Sequence, residues 1–158
     1  RESFYIRKKE VMTSLTTALW NKQFDDLSQW VKRKKYSVKC YTDADDRLDF
    51  ETLTIHINSR QHAENRFYTL LHECGHLLIS NSYKQFQKDH PVYAFSTDTR
   101  KSRGKAYQVS LVAEEIEAWK RGRRLANRLK LYVNNEKFDK VMSECVMTYI
   151  ADAATIAG

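Results

Sequence analysis

The segment His72-Glu73-Cys74-Gly75-His76 sets two imidazoles four residues apart with a carboxylate beside the first. On a helix, residues four apart lie one above the other, so both imidazoles can reach one tetrahedral zinc ion from a single turn. Zinc held by three protein ligands keeps a position for water, lowers the pKa of that water toward neutrality and polarises a carbonyl. Glu73 is placed to act as general base, taking the proton from the water and passing it to a leaving amine. The five residues alone also fit a helix with two hydrogen-bonded histidines and a surface glutamate. Their surroundings favour the metal: the helix is strongly periodic, a strand-like segment precedes it, and a carboxylate-rich helix follows.

A third ligand is needed, and Leu111 to Trp119 offers Glu114, Glu115 and Glu117 on one predicted helix. Glu115 shares its face with Leu111, Val112, Ala118, Trp119, Gly122 and Ala126, an apolar stripe on which an unpaired carboxylate would be costly. It is the first candidate, and Glu114, at the border of the stripe, is the alternative. Glu117 lies among Arg121, Arg124 and Arg128 and reads as half of an exposed pair with Arg121. Cys74 is expected in the core, and Gly75 would let a second helix or a substrate come close. His56, opposite Ile55 and Ile57 on its strand, and His62, over two turns before His72, are not expected to be ligands. A donor to a developing oxyanion could come from Tyr83, His90, Tyr93, Arg100, Arg103 or Tyr107.

The elements that must position these residues follow from apolar periodicity. Val11, Leu15, Ala18 and Leu19, then Phe24, Leu27, Trp30 and Val31, predict two helices broken near Asn21. Tyr36 to Tyr41 and Phe50 to Asn58 predict two strands, joined as a hairpin through an acidic turn from Thr42 to Asp49. A helix from Ala63 to Ser80, with Ser59 as its cap, carries the histidines. Asn81 to Gly104, with the only proline, Pro91, reads as a long loop. Helices are predicted from Ala106 to Lys130 and from Glu136 to Ile156.

The 158 residues, 42% hydrophobic and 30% charged, predict a single domain over residues 1–158 with one core, and exclude a chain disordered throughout. Apolar stretches such as Leu77-Leu78-Ile79 fall far short of the ~20 residues of a membrane span, and no charged-then-apolar leader opens the chain. No membrane partner is expected. Three widely spaced cysteines, Cys40, Cys74 and Cys145, suit a reducing cytoplasm. The formal charge of +7 concentrates in Lys32 to Lys35, Arg100 to Lys105 and Lys120 to Lys130, a surface open to nucleic acid although no nucleic-acid-binding motif is present.

His72-Glu73-x-x-His76 followed by a glutamate-bearing helix resembles the gluzincin branch of the zincins. Leu70 to Ile79, the preceding Ile57-Asn58-Ser59-Arg60 and the stretch from Glu114 to Leu125 are similar to the small intracellular ImmA/IrrE-like metallopeptidases of bacteria, phages and mobile elements. Where such proteins show Glu-Ala-Asn or Glu-Ala-Asp, this chain has Glu117-Ala118-Trp119. The resemblance implies an α+β, zincin-like fold: an active-site helix packed on a small antiparallel-containing sheet, with additional helices at both ends. It also implies that Phe50 to Asn58 is an edge strand beside which a substrate peptide adds. The expected cofactor is one zinc per chain, held by His72, His76 and Glu115 (or Glu114). The expected activity is hydrolysis of a specific intracellular protein, plausibly a regulator such as a repressor. The competing readings are a zincin-like module that binds protein or nucleic acid without turnover, and a protease acting on DNA-bound proteins. For the latter, His90 is the sole histidine downstream of the motif.

Overall fold

The computed structural model describes residues 2–89 and 104–158, with side chains described from residue 16 onward. The architecture is α+β, with elements in the order α1 (Glu2–Arg33), β1 (Ser37–Tyr41), β2 (Arg47–Asp49), β3 (Thr54–Asn58), α2 (Ala63–Asn81), α3 (Tyr83–Asp89), α4 (Lys105–Arg128) and α5 (Asn135–Ala157). Residues 1–70 form one compact unit and residues 71–158 another, the division falling within α2.

In the first unit, α1 is one continuous helix and not the two predicted from the sequence. An asparagine in a helix interior costs only a few tenths of a kcal/mol relative to an average residue. Asn21 is exposed and accepts a hydrogen bond from Arg66 Nη2 at 3.0 Å, so nothing breaks the helix there. Trp20, Gln23, Leu27, Trp30 and Val31 form its buried stripe, whereas Ala18 and Leu19 face solvent. Trp20 packs against the rings of Phe67 and Tyr68 at 5.7 and 5.6 Å.

The sheet also differs from the predicted hairpin. Its order is β1-β3-β2, with β3 parallel to β1 and antiparallel to β2. The supposed acidic turn contains β2, whose three residues are too few to show a pattern. Phe50 to Leu53 form the β2–β3 turn, closed by Asp49 Oδ1 accepting from the backbone N–H groups of Glu51 and Thr52 at 2.9 and 3.1 Å. The expected edge strand is therefore shorter, Thr54–Asn58, and central, with both of its edges already hydrogen-bonded. A peptide cannot add beside it. Ile55 and Ile57 are fully buried on one face, while His56 on the other meets the Tyr41 hydroxyl through Nδ1 and Asp49 at 4.0 Å.

Helix α2 starts within a residue of expectation, but Ser59 lies four residues ahead of it and does not cap it. In the second unit, α4 and α5 also match their predicted limits closely. The predicted long loop begins instead with α3, whose Phe86 is buried with Ile79 and Ala118. Its remainder, Pro91 included, lies outside the described residues. Asn134 caps α5, its side chain accepting from the Lys137 N–H. The ring of Phe138 stands edge-on to Trp119 at 5.4 Å, which seats α5 on α4. No helix among the described residues is long and apolar enough to cross a membrane.

Candidate metal centre

The site is built where α2 crosses α4. Leu71, Cys74, Leu77 and Ile79 bury one face of α2, and Ala118, Trp119, Leu125 and Ala126 bury the facing stripe of α4. Two glycines let the backbones touch. A Cβ at Gly75 would stand 1.9 Å from the Ala118 carbonyl oxygen, and one at Gly122 would stand 2.4 Å from that of Leu71. Contact this close brings Glu115, one turn before Trp119, over the histidines.

His72 Nε2 lies 2.9 Å from Glu115 Oε2, His76 Nε2 lies 3.3 Å from Glu115 Oε1, and the two Nε2 atoms are 3.1 Å apart. Ligand atoms bound at zinc distances of 2.0–2.1 Å in a tetrahedron stand about 3.3 Å from one another. The donor set of two imidazole nitrogens and a carboxylate, aimed at one point in a buried pocket, fits a zinc ion in chemistry and in spacing. His72, His76 and Glu115 are the group among the described residues that could hold a metal.

Side chains here are well shielded: His72 is 7%, Glu73 4% and Glu115 6% exposed. Burial opposes the charge on His76, but its contacts with Glu114 and Glu115 outweigh that and carry its pKa up to about 10. Burial likewise opposes ionisation of Glu115, yet hydrogen bonds to His72 and His76 draw it down to about 2.

Glu114, the alternative ligand, occupies a different position. Its Oε1 lies 3.3 Å from His76 Nδ1, the ring nitrogen that faces away from the cluster. A carboxylate on the far nitrogen of a ligand histidine fixes the ring and its tautomer. Glu73 Oε1 is 3.4 Å from His72 Nδ1. Glu117 is partly exposed and pairs with Arg121 and Arg124 at 2.8 and 2.9 Å, while Arg121 also donates to the Leu78 carbonyl and to Ser82. It therefore helps tie α4 to the end of α2, beyond the surface role expected. Arg123 pairs with Asp139 at 2.8 Å, so part of the basic run from Lys120 to Lys130 is neutralised within the fold.

Cys74 is fully buried, and burial pushes its thiol well above the ordinary range. His62 offers its carbonyl to the Arg66 N–H. Of the candidate oxyanion donors, His90, Tyr93, Arg100 and Arg103 lie outside the described residues. Tyr83 packs on Phe86, and burial followed by the charge of Glu114 raises its phenol. Tyr149 was not singled out from the sequence, being one of two aromatic residues on an amphipathic helix. Burial and then the charges of Glu115 and Glu73 push its phenol up to about 12, so its hydroxyl shares the electrostatic surroundings of the cluster.

Comparisons of the chain with protein-family models, with curated proteins and with solved structures find no match.

Proposed function

We propose that this protein is a zincin-type, zinc-dependent metallopeptidase, with one zinc held by His72, His76 and Glu115 and with Glu73 as general base. The observation that supports the reading most directly is the convergence of three ligand atoms at 2.9–3.3 Å from one another in a buried site. When bound, zinc would supply an acidified water and a Lewis acid. Glu73, next to His72 on the same turn and 4% exposed, would take the proton from the nucleophile and deliver it to the leaving amine. Glu114 orients His76 through Nδ1. The proposed substrate is a specific intracellular protein, a regulator such as a repressor, in a reducing cytoplasm that suits Cys40, Cys74 and Cys145, none of which is in a disulfide.

The test pairs elemental analysis with a cleavage screen on a proteome-derived peptide library, read by mass spectrometry of new N-termini. Wild type should hold close to one zinc per chain, and Glu73→Gln should keep the zinc and lose cleavage. Cleavage retained in Glu73→Gln defeats the mechanism, and a wild type that takes up no zinc defeats the metal centre.

A further inference from the structure

The two histidines of the cluster are oriented by different means. His76 has Glu114 at 3.3 Å on its outer nitrogen. His72 has Glu73, its neighbour in the chain, at 3.4 Å on its outer nitrogen. The ring of His72 lies flat on Trp119, with centroids 4.4 Å apart and planes 10° from parallel. Trp119 is 1% exposed and is itself held by Phe138, whose ring meets it at 80° and has the Arg123 guanidinium over it, 4.8 Å from the ring centroid.

The indole N–H of Trp119 is buried without a hydrogen-bond partner among the described residues. A buried donor left unpaired is unfavourable, and phenylalanine would remove it while keeping an aromatic face. The position therefore gains from the breadth of its ring more than from its polar atom. The α4 helix then delivers two things to His72 from one turn: the Glu115 carboxylate to Nε2, and the Trp119 face to the ring plane four residues later.

We infer that Trp119 is a positioning residue for the metal centre, its indole face setting the plane of the His72 imidazole where His76 has a carboxylate from the opposing helix. The inference rests on the metal-centre reading above. Aromatic stacking constrains the tilt of the imidazole. It also makes Trp119 an optical reporter, because a paramagnetic ion bound to His72 would lie close to the indole.

Cobalt(II) is the probe, added to the metal-free full chain and followed by its visible absorption, by tryptophan emission and by competition with a chelator. In wild type, one equivalent should give tetrahedral-type absorption and quench part of the emission; in Trp119→Phe the absorption and an affinity within about 3-fold should persist while that quenching is lost. Trp119→Leu, folded by circular dichroism, should bind at least about 10-fold more weakly, the scale seen when a partner of a ligand histidine is removed. Trp119→Met, which retains more of the volume without a ring, takes its place should the leucine variant not fold. Wild-type affinity in the folded leucine or methionine variant overturns the inference and leaves the metal centre standing, whereas a wild type that binds no cobalt or zinc overturns both.

Discussion

Gly75 lies so close to Ala118 that a Cβ built on it would stand 1.9 Å from the Ala118 carbonyl oxygen. Glycine within a helix costs about 1 kcal/mol relative to alanine, so α2 carries that cost to let α4 approach. Gly75→Ala, normally a stabilising change in a helix, should here lower stability by at least about 3 kcal/mol, the upper end of overpacking effects, since backbone is what it strikes. Gly122→Ala should act in the same direction through the Leu71 carbonyl, 2.4 Å from its added Cβ. Urea unfolding followed by circular dichroism checks both, and a wild-type midpoint for Gly75→Ala would show that the helices do not touch there.

The two adjacent glutamates should separate cleanly by metal affinity. Glu115→Ala removes a proposed ligand, and zinc content after dialysis against a weak chelator should fall to near zero. Glu114→Gln leaves the ligands in place and weakens only the support of His76, so zinc should remain but bind about 10- to 100-fold less tightly. Zinc retained by Glu115→Ala and lost from Glu114→Ala would move the ligand by one residue.

Asp49 gives the sheet a pH dependence. Hydrogen bonds from Thr52, and to a lesser degree from Glu51, hold its carboxyl below the ordinary value of 3.8. A carboxylate depressed in the folded state adds stability that is fully present above its unfolded pKa and is lost as pH falls through the lower folded value. The stability gap between wild type and Asp49→Ala should therefore be constant from pH 7 to about 5 and shrink below about 4. Paired urea titrations across that range measure it, and a gap unchanged at pH 2 would rule the turn carboxylate out as its source.

Helix α4 ends with Lys130 at φ 55°, a left-handed position, with the Leu131 N–H bonded to the Ala126 carbonyl at 2.9 Å. Glycine is the usual residue there because a Cβ is strained in this conformation by about 1–2 kcal/mol. Lys130→Gly should raise stability by roughly 0.5–1 kcal/mol, after the entropy glycine adds to the unfolded chain. A thermal or urea midpoint at or below that of wild type would count against the assigned cap. Lys35, at φ 68° after α1, is the matching position in the first unit.

These lysines also show why parts of the fold were hard to read in advance. Helices α2, α4 and α5 were legible because each buries a stripe at helical spacing, such as Leu71, Cys74 and Leu77 in α2. The continuity of α1 through Asn21 was not, since the supposed break is a well-tolerated exposed residue, while Lys35 and Lys130 follow their helices in a conformation that glycine usually takes. The sheet was misjudged because β2 is only Arg47-Leu48-Asp49, and strand order depends on pairing between segments far apart in sequence. Without β2, β3 looks like half of a hairpin; with it, β3 is the centre of a mixed sheet.

The sequence by itself determined that His72 and His76 share one helical face with Glu73 beside them, because a separation of four residues is resolved within a single turn by local backbone geometry. It also marked Glu115 as a carboxylate on an apolar stripe, while leaving Glu114 open. Only the tertiary structure separated the two, setting Glu115 on the inner nitrogens and Glu114 on the outer nitrogen of His76. The flat contact of Trp119 on His72 and the nearness of Tyr149 to the carboxylates likewise arose there. Which side chains meet across α2, α4 and α5 depends on how closely the backbones approach, and that distance is decided where Gly75 and Gly122 face carbonyl oxygens of the opposing helix.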